Sequence, residues 1–189
     1  MELFWYDIRE IDDETYRIAL SQMSPQRKKR VSQIAAEDDR KRTVAAELLT
    51  RREVGKKLGV APEKVVLAID ENEKPYIEGN PLYISVSHSG NWAVCAIADK
   101  PIGVDVEEIR GVQEKFVVRT CSEGERAYIR YGDAGYLSRF WECWTAKEAL
   151  FKLTGKGPLL ALSRQNVPEN VILELMLQKG CAVTAAMEQ

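Results

Sequence analysis

The stretch "PIGVDVEE" (residues 101–108) places two acidic side chains inside an apolar run near the middle of the chain. Its branched residues predict a β-strand, and residues two apart on a strand point to the same face. Asp105 and Glu107 therefore share one face, while Val104 and Val106 fill the other. An isolated pair of acids like this is typical of a half-exposed edge strand with a solvated face. A functional role for the acids requires other residues.

Other strand and helix patterns flank this strand on both sides. Ser24 and Pro25 are the preferred types for a helix N-cap and first helical residue, Gly59 and Gly155 are natural helix ends, and Ser122 begins a capping box with a glutamate three residues later. We predict helices from Asp13, from Ser24, over about 37–58, near 122 and over about 134–154. We predict strands over about 2–8, 65–69, 75–77, 83–87, 92–98, 102–106, 171–177 and 181–187.

Two segments of the chain echo each other. The segments "NWAVCAIADK" (91–100) and "GCAVTAAMEQ" (180–189) share the spacing of Ala, Val, Ala and a closing acid, and each ends a helix-then-strand half. Short similarity of this kind also arises by chance, so an internal duplication is one of two interpretations. If the halves are related, the cleft between them is the natural place for a site.

The composition is that of an ordinary globular protein. Of 189 residues, 45% are hydrophobic and 30% charged, which excludes a disordered or fibrous chain. The 27 basic and 29 acidic residues give a net charge of -2, so any polyanion-binding surface must be local.

The acidic N-terminus does not resemble a secretory signal, and no apolar run is long enough to span a membrane. Four scattered cysteines fit thiols in a reducing compartment, so we expect a cytoplasmic protein.

A second motif, "RFWECWTAKEALFKLTGKG" (139–157), supplies a third carboxylate. Glu148 and Lys152 lie four apart on a predicted helix and share one face, with Trp144 one turn earlier. A surface pair of this kind would be worth only a few tenths of a kcal/mol. Together with the two strand acids, however, Glu148 completes a set of oxygen ligands of the kind that holds Mg²⁺. Lys152 offers a point charge for a phosphate.

The only histidine of the chain lies in a third motif, "SVSHSGNW" (85–92). His88 follows a predicted strand and is flanked by Ser87 and Ser89, whose hydroxyls could bond an anion. Taken alone, this segment is better explained as a turn between two strands.

Four motifs in order resemble the 4'-phosphopantetheinyl transferase superfamily: "KPY" (74–76), "SHS" (87–89), "GVDVEEI" (103–109) and "WTAKEALFK" (144–152). The chain length resembles the monomeric, two-lobed branch that serves surfactin synthetase. The resemblance implies an α+β fold of two similar α/β lobes, a pseudo-dimer from internal duplication. Each lobe would be a small, mainly antiparallel sheet packed with helices. The implied lobes are 1–101 and 102–189, with the active site in the cleft between them and a shortened second lobe.

The same resemblance implies an enzyme that transfers the phosphopantetheine arm of coenzyme A to a serine of an apo carrier protein, releasing 3',5'-ADP. The implied ligands of Mg²⁺, or of Mn²⁺, are Asp105, Glu107 and Glu148, and the implied catalytic residues are Glu148, Lys152 and Asp105. The cation would grip the pyrophosphate, and Lys152 would stabilise the shifting charge. Glu148 would be the general base, although a metal ligand is a poor free base. A serine or water acidified by the metal is the alternative.

Coenzyme A contacts are implied for further residues. Ser87 and His88 would contact its phosphates, and Lys74 and Pro75 would lie against its adenine. Relatives commonly have glycine before that Lys-Pro pair, where this chain has Glu73. Lys152 would lie beside the pyrophosphate. The residues implied to bind the 3'-phosphate are Arg42, Arg27 and Arg30.

Basic residues are dense between 25 and 57. Interleaved acids favour an ordinary solvated helix face, but the positive charge could also attract the acidic helix of a carrier protein. The basic residues are Arg27, Lys28, Lys29, Arg30, Arg40, Lys41, Arg42, Arg51, Arg52, Lys56 and Lys57.

Two other functions are weighed against the transferase. A nucleic-acid-binding module would use the basic tract, but the acids interleaved there and the absence of stacking aromatics argue against it. A metal-dependent pyrophosphohydrolase would use similar acids with water as acceptor. We therefore expect a monomeric transferase with coenzyme A and a carrier protein as partners, and neither nucleic acid nor membrane. The sequence does not decide whether the carrier serves fatty-acid, polyketide or peptide synthesis, or whether acyl-coenzyme A is accepted.

Overall fold

The structure, a computed structural model, describes residues 1–70, 74–155, 159–162 and 166–189. The chain divides into two compact units, Met1–Asp99 and Lys100–Gln189. Each unit contains a small antiparallel sheet and three helices of seven residues or more, so the prediction of a mixed α+β fold with antiparallel sheets is confirmed. Within the described ranges, no helix is both long and apolar enough to cross a membrane.

The first unit packs one long helix on a three-stranded sheet. Strand β5 lies at the centre of this sheet, antiparallel to both of its neighbours, in the order β1-β5-β4. The core between helix and sheet includes Val44, Leu49 and Cys95, none of which is exposed. The elements are β1 (Glu2–Asp7), α1 (Asp13–Gln22), α2 (Pro25–Gln33), α3 (Glu37–Leu58), β2 (Leu67–Ile69), β3 (Pro75–Ile77), β4 (Tyr83–Ser89) and β5 (Trp92–Ala98).

The second unit repeats this plan with another long helix. Its sheet has the order β6-β8-β7, again with both pairings antiparallel. The buried residues Phe140 and Ile129 belong to one core cluster, and Leu150 to a second one. The elements are β6 (Ile102–Glu108), α4 (Glu114–Thr120), α5 (Glu123–Ile129), α6 (Tyr136–Thr154), β7 (Val171–Gln178) and β8 (Cys181–Glu188).

Local signals placed several element ends correctly. The Ser24 hydroxyl accepts a hydrogen bond from the N–H of Arg27, with Pro25 as first helical residue. Ser122 and Glu125 form the predicted capping box, with both of its hydrogen bonds present. Gly59 ends α3 with a φ of 66°, a left-handed conformation that favours glycine.

Other element ends differ from the prediction for identifiable reasons. Strand β2 begins at Leu67 instead of residue 65, because the N–H of Val65 bonds to the carbonyl of Pro62 and closes a turn there. Helix α6 begins at Tyr136 because Gly135 precedes it with a φ of 76°. Helix α4, which has no side-chain cap, was not predicted as an element of its own.

Candidate active site

The centre of the acidic motif is a partly buried ion pair between β6 and α6. The Nζ of Lys152 donates hydrogen bonds to Oδ1 of Asp105 at 2.8 Å and to the carbonyl of Val104 at 3.0 Å. Asp105 is only 4% exposed, whereas Lys152 retains partial access to solvent. The interpretation of Asp105 as an acid on a solvated face is therefore wrong. Val104 and Val106 are also buried, so β6 is covered on both faces.

The close approach of α6 to β6 depends on Gly103. A Cβ at this position would lie 2.1 Å from the carbonyl oxygen of Ala149 and 2.5 Å from the nitrogen of Leu153. Both of those atoms belong to the backbone of α6, so a side chain here would force the helix away from the strand. The missing side chain thus allows Lys152 to reach across to Asp105.

Glu148 lies one turn before Lys152 on the same face of α6. Burial raises the pKa of Glu148, and the negative charges of Asp105 and, more weakly, Glu107 raise that pKa further, while Lys152 lowers it. The three carboxylates and the lysine therefore act on one another electrostatically. The structure brings together the four residues that the sequence analysis selected for this site.

The chemistry of this group fits a divalent cation. Oxygen ligands suit Mg²⁺, and three carboxylates with one ammonium leave two negative charges that a divalent cation would balance. Among the residues that the structure describes, however, no group of three or more His, Cys, Asp and Glu side chains is arranged to hold a metal ion. Lys152 already takes one oxygen of Asp105. The assignment of Asp105, Glu107 and Glu148 as metal ligands stays a prediction.

In the first unit, Arg42 joins α3 to the turn after β4. Its guanidinium donates to Oδ1 of Asp39, with Nε at 3.1 Å, and to the carbonyl of Gly90 at 2.8 Å. The hydrogen bond from Arg42 lowers the pKa of Asp39, and the charge of His88 lowers it slightly. Arg42 and His88 therefore belong to one neighbourhood, in which Ser87 is buried and His88 half-buried.

Lys74 and Pro75 line a pocket of about 340 Å³ in the same unit. The N–H of Lys74 donates to Oδ1 of Asp70 at 2.8 Å. Burial lowers the pKa of the Lys74 ammonium, and Asp70 opposes this shift. Glu73, where the chain departs from the family pattern, lies outside the described residues.

Arg27 and Arg30 lie on α2 in different environments. Arg27 donates from Nε to Oε2 of Glu47 at 3.0 Å, and the same carboxylate accepts from Arg51 at 2.8 Å through its other oxygen. Glu47 is only 2% exposed, so Arg27 is part of a buried ion-pair network. Arg30 is exposed. The role of both in binding the 3'-phosphate stays a prediction, and for Arg27 a phosphate would have to compete with Glu47.

Sequence reasoning missed two residues near the acidic group. Gly103 lies inside a strand, where glycine indicates a close backbone approach, and this signal was present in the quoted motif. Lys147, next to Glu148, is completely buried, which no pattern indicates because lysine is almost never buried.

Two family models match the chain. Residues 101–174, which contain the acidic group, match the model of the 4'-phosphopantetheinyl transferase superfamily, and residues 10–100 match that of the 4'-phosphopantetheinyl transferase N-terminal region. The chain belongs to the 4'-phosphopantetheinyl transferase superfamily. The resemblance based on four ordered motifs is therefore confirmed.

Transferases of the gsp and Sfp type match most of the chain. The 4'-phosphopantetheinyl transferase gsp of Aneurinibacillus migulanus is 27% identical over 162 residues, which cover 85% of this chain and 68% of the relative. The transferase psf-1 of Bacillus pumilus is 29% identical over 86% of this chain and 72% of its own length. The transferase Sfp of Bacillus subtilis strain 168 is 26% identical over 86% of this chain and 73% of its own length.

Proposed function

We propose that the protein transfers the 4'-phosphopantetheine group of coenzyme A to a serine of an apo acyl or peptidyl carrier protein and releases 3',5'-ADP. The observation that carries this proposal is the group formed by Asp105, Glu148 and Lys152 inside the region that matches the superfamily model. An acidic cluster beside a partly accessible lysine suits a substrate whose reacting centre is a pyrophosphate.

The transfer exchanges one phosphorus–oxygen bond for another. The serine Oγ attacks the phosphorus that carries the pantetheine arm, and the bond from that phosphorus to the bridging oxygen breaks. The bridging oxygen leaves with its electron pair as part of 3',5'-ADP, and the serine proton passes to a base. Lys152, whose Nζ lies 2.8 Å from Oδ1 of Asp105, would stabilise negative charge on the pyrophosphate oxygens.

Glu148 is our candidate for the base. Its raised pKa, caused by burial and by Asp105 and Glu107, makes it a stronger proton acceptor than an exposed glutamate. Asp105, Glu107 and Glu148 would hold Mg²⁺ or Mn²⁺, which when bound neutralises charge on the pyrophosphate. In that state a water held by these residues would be the alternative route for the serine proton.

The first unit would bind the nucleotide part of coenzyme A. Arg42 presents a guanidinium fork, which suits the 3'-phosphate, close to His88. Ser87 would assist His88 in binding phosphate. The pocket lined by Lys74 and Pro75 would take the adenine. Arg30 is the exposed cation that would add to the 3'-phosphate contact, and Arg27 would do so only by leaving Glu47.

We propose further that the predicted lobes 1–101 and 102–189, whose boundary lies two residues after that of the two compact units, descend from one duplicated lobe. In both units a first strand precedes three helices and a closing hairpin, and the last strand of that hairpin is central: β5 in one sheet and β8 in the other. The first unit differs by the additional two-stranded sheet β2-β3 between α3 and β4. These are also the two strands that carry the repeated sequence. We propose that the protein acts as a monomer, which light scattering of the purified chain tests directly, and that it has no nucleic-acid or membrane partner.

The activity is tested by incubating the protein with coenzyme A, Mg²⁺ and a panel of apo carrier proteins, with intact carrier masses as readout. We expect at least one carrier to gain the mass of one phosphopantetheine group, and this gain to disappear with a chelator or when the acceptor serine is replaced by alanine. A folded protein that modifies no carrier in a panel covering fatty-acid, polyketide and peptide synthesis would contradict the proposal.

A further inference from the structure

A buried ion pair that the proposed transfer does not use joins α6 to α5. The Nζ of Lys147 lies 2.8 Å from Oε2 of Glu125, and the two side chains are 0% and 2% exposed. Lys147 precedes Glu148 directly in the sequence but lies about 100° away around the helix axis. The pair therefore lies on a different face of α6 from Glu148 and Lys152.

Lys147 bonds to the end of one helix and to the beginning of the next. Its Nζ also donates to the carbonyl of Thr120, the last residue of α4, at 2.8 Å. The Glu125 carboxylate that it pairs with accepts the N–H of Ser122 at 2.8 Å and so closes the capping box of α5. Lys147 thus attaches α6 to the junction of α4 and α5 through two directional contacts.

The pair is poorly explained as a source of stability. Oε1 of Glu125 is buried and has no hydrogen-bond partner among the described residues. Burying charged groups costs free energy that their attraction often only offsets, and apolar residues of similar volume commonly serve stability as well. In some proteins a buried polar or ionic group serves instead to select one geometry, and the two directional bonds of Lys147 are suited to that role.

The opposite side of α6 is held just as closely. At Gly103 the backbone of β6 leaves no room for even a Cβ against Ala149 and Leu153. A helix held on one side by a strand can still rotate about its axis, and a few degrees of rotation would displace Glu148 relative to Asp105. The contact of Lys147 with Thr120 and Glu125 removes this freedom from another side.

We propose that Lys147 is a positioning residue: its bonds to Glu125 and Thr120 fix the rotation of α6 and thereby set Glu148 and Lys152 against Asp105. Lys147 itself does not touch the substrate. This inference rests on the proposed transferase function, because its catalytic consequence is read through the transfer reaction.

The test replaces the pair by neutral groups of similar shape. Lys147→Met alone would leave Glu125 charged and buried, so the variant is Lys147→Met combined with Glu125→Gln, since glutamine also serves in a capping box. We expect a folded protein whose kcat for carrier modification falls at least tenfold, while its KM for coenzyme A changes less than threefold. A merely structural role would lower the melting temperature without this division between kcat and KM.

Tyr128→Phe is the matched control. It removes another contact between α5 and α6, the hydrogen bond of 2.6 Å from the Tyr128 hydroxyl to Oε2 of Glu142, but leaves Lys147 in place. We expect its kcat to stay within twofold of the original. If the double variant does not fold, Glu125→Gln alone is the second variant: it removes the negative charge of the pair, while the glutamine amide oxygen can still accept from the Lys147 ammonium, which also keeps its bond to Thr120, and glutamine keeps the capping box. A fall in kcat of at least threefold supports the proposal.

An unchanged kcat in the folded variant would overturn the positioning role. If the unmodified protein transfers nothing to any carrier, the proposed function fails, and the positioning role is then judged from crystal structures of the two proteins. A rotation of α6 that displaces the Glu148 carboxylate by about 1 Å or more in the double variant supports it. An unchanged α6 in that variant contradicts it.

Discussion

The Nζ of Lys152 on α6 donates a hydrogen bond of 2.8 Å to Oδ1 of Asp105 on β6. This contact joins the two motifs on which the functional proposal depends, and Glu148 lies within electrostatic range of it. The acidic side chain is buried and the lysine partly accessible, so the lysine is the member of the pair that a ligand can reach.

Replacing Asp105 by asparagine should abolish most of the transfer activity. The asparagine side chain would keep the shape of the original and an oxygen for Lys152, but it removes one negative charge from the proposed cation site. We expect kcat to fall by about 100-fold or more, as for loss of one preorganised electrostatic group. The measurement is the initial rate of carrier modification at saturating Mg²⁺.

Glu108→Gln is the control for this variant. Glu108 lies at the exposed end of β6, next to Glu107 but on the other face of the strand. Its removal should leave the rate within twofold. An Asp105→Asn protein with unchanged rate and metal dependence would refute the role of the carboxylate.

Replacing Gly103 by alanine should destabilise the second unit. The new Cβ would lie 2.1 Å from a backbone oxygen of α6, so the helix must move. Overpacking of this kind costs roughly 1–3 kcal/mol in the free energy of unfolding, measurable by urea denaturation. Gly111→Ala is the control, since a Cβ there meets no atom within 4 Å. Equal stability of the two variants would contradict the close packing.

The cysteines should resist alkylation in the native protein at pH 8. All four are buried, and burial raises the pKa of Cys95 to about 12 and that of Cys181 to about 11. Because the pKa is raised, the thiolate fraction at pH 8 is small, on the order of one part in a thousand or less for these two thiols. Iodoacetamide followed by mass spectrometry should show four modifications in urea and fewer than one without it. Rapid native labelling of Cys95 or Cys181 would contradict their burial.

Replacing Arg42 by lysine should weaken coenzyme A binding through the 3'-phosphate. Lysine keeps the charge but loses the guanidinium fork, so we expect KM for coenzyme A to rise by about tenfold with little change in kcat. With 3'-dephospho-coenzyme A, Arg42→Lys and the unmodified protein should have similar KM values. Lys41→Gln, which removes a neighbouring cation paired with Glu37, should leave KM unchanged. A tenfold effect with both substrates would mean that Arg42 does not act on the 3'-phosphate.

Local sequence signals were sufficient for most elements but not for all. The caps at Ser24 and Ser122 and the left-handed Gly59 act within a few residues, and each is where the sequence placed it. Helix α4 has seven residues and no side-chain cap, so no local sequence signal predicts it. Its buried Val117 belongs to the same core cluster as Phe140, and such tertiary packing is invisible to a pattern.

The sequence likewise predicted some features of the candidate site but not others. Strand and helix periodicity placed Asp105 with Glu107 and Glu148 with Lys152, and the resemblance to the transferase superfamily assigned all four residues to one site. The burial of Asp105 could not be predicted, because the same alternation fits a solvated face and only α6 packed on β6 decides between them. The burial of Lys147 opposes the usual preference of lysine for the surface, so it required the structure.

The most direct test of the transferase is to quantify 3',5'-ADP and modified carrier protein in the same reaction. Transfer predicts that both form together in a ratio of one, only when an apo carrier with its acceptor serine is present, and only with Mg²⁺ or Mn²⁺. Release of 3',5'-ADP from coenzyme A without a carrier, at the same rate and with no modified protein, would contradict transfer and identify hydrolysis with water as acceptor.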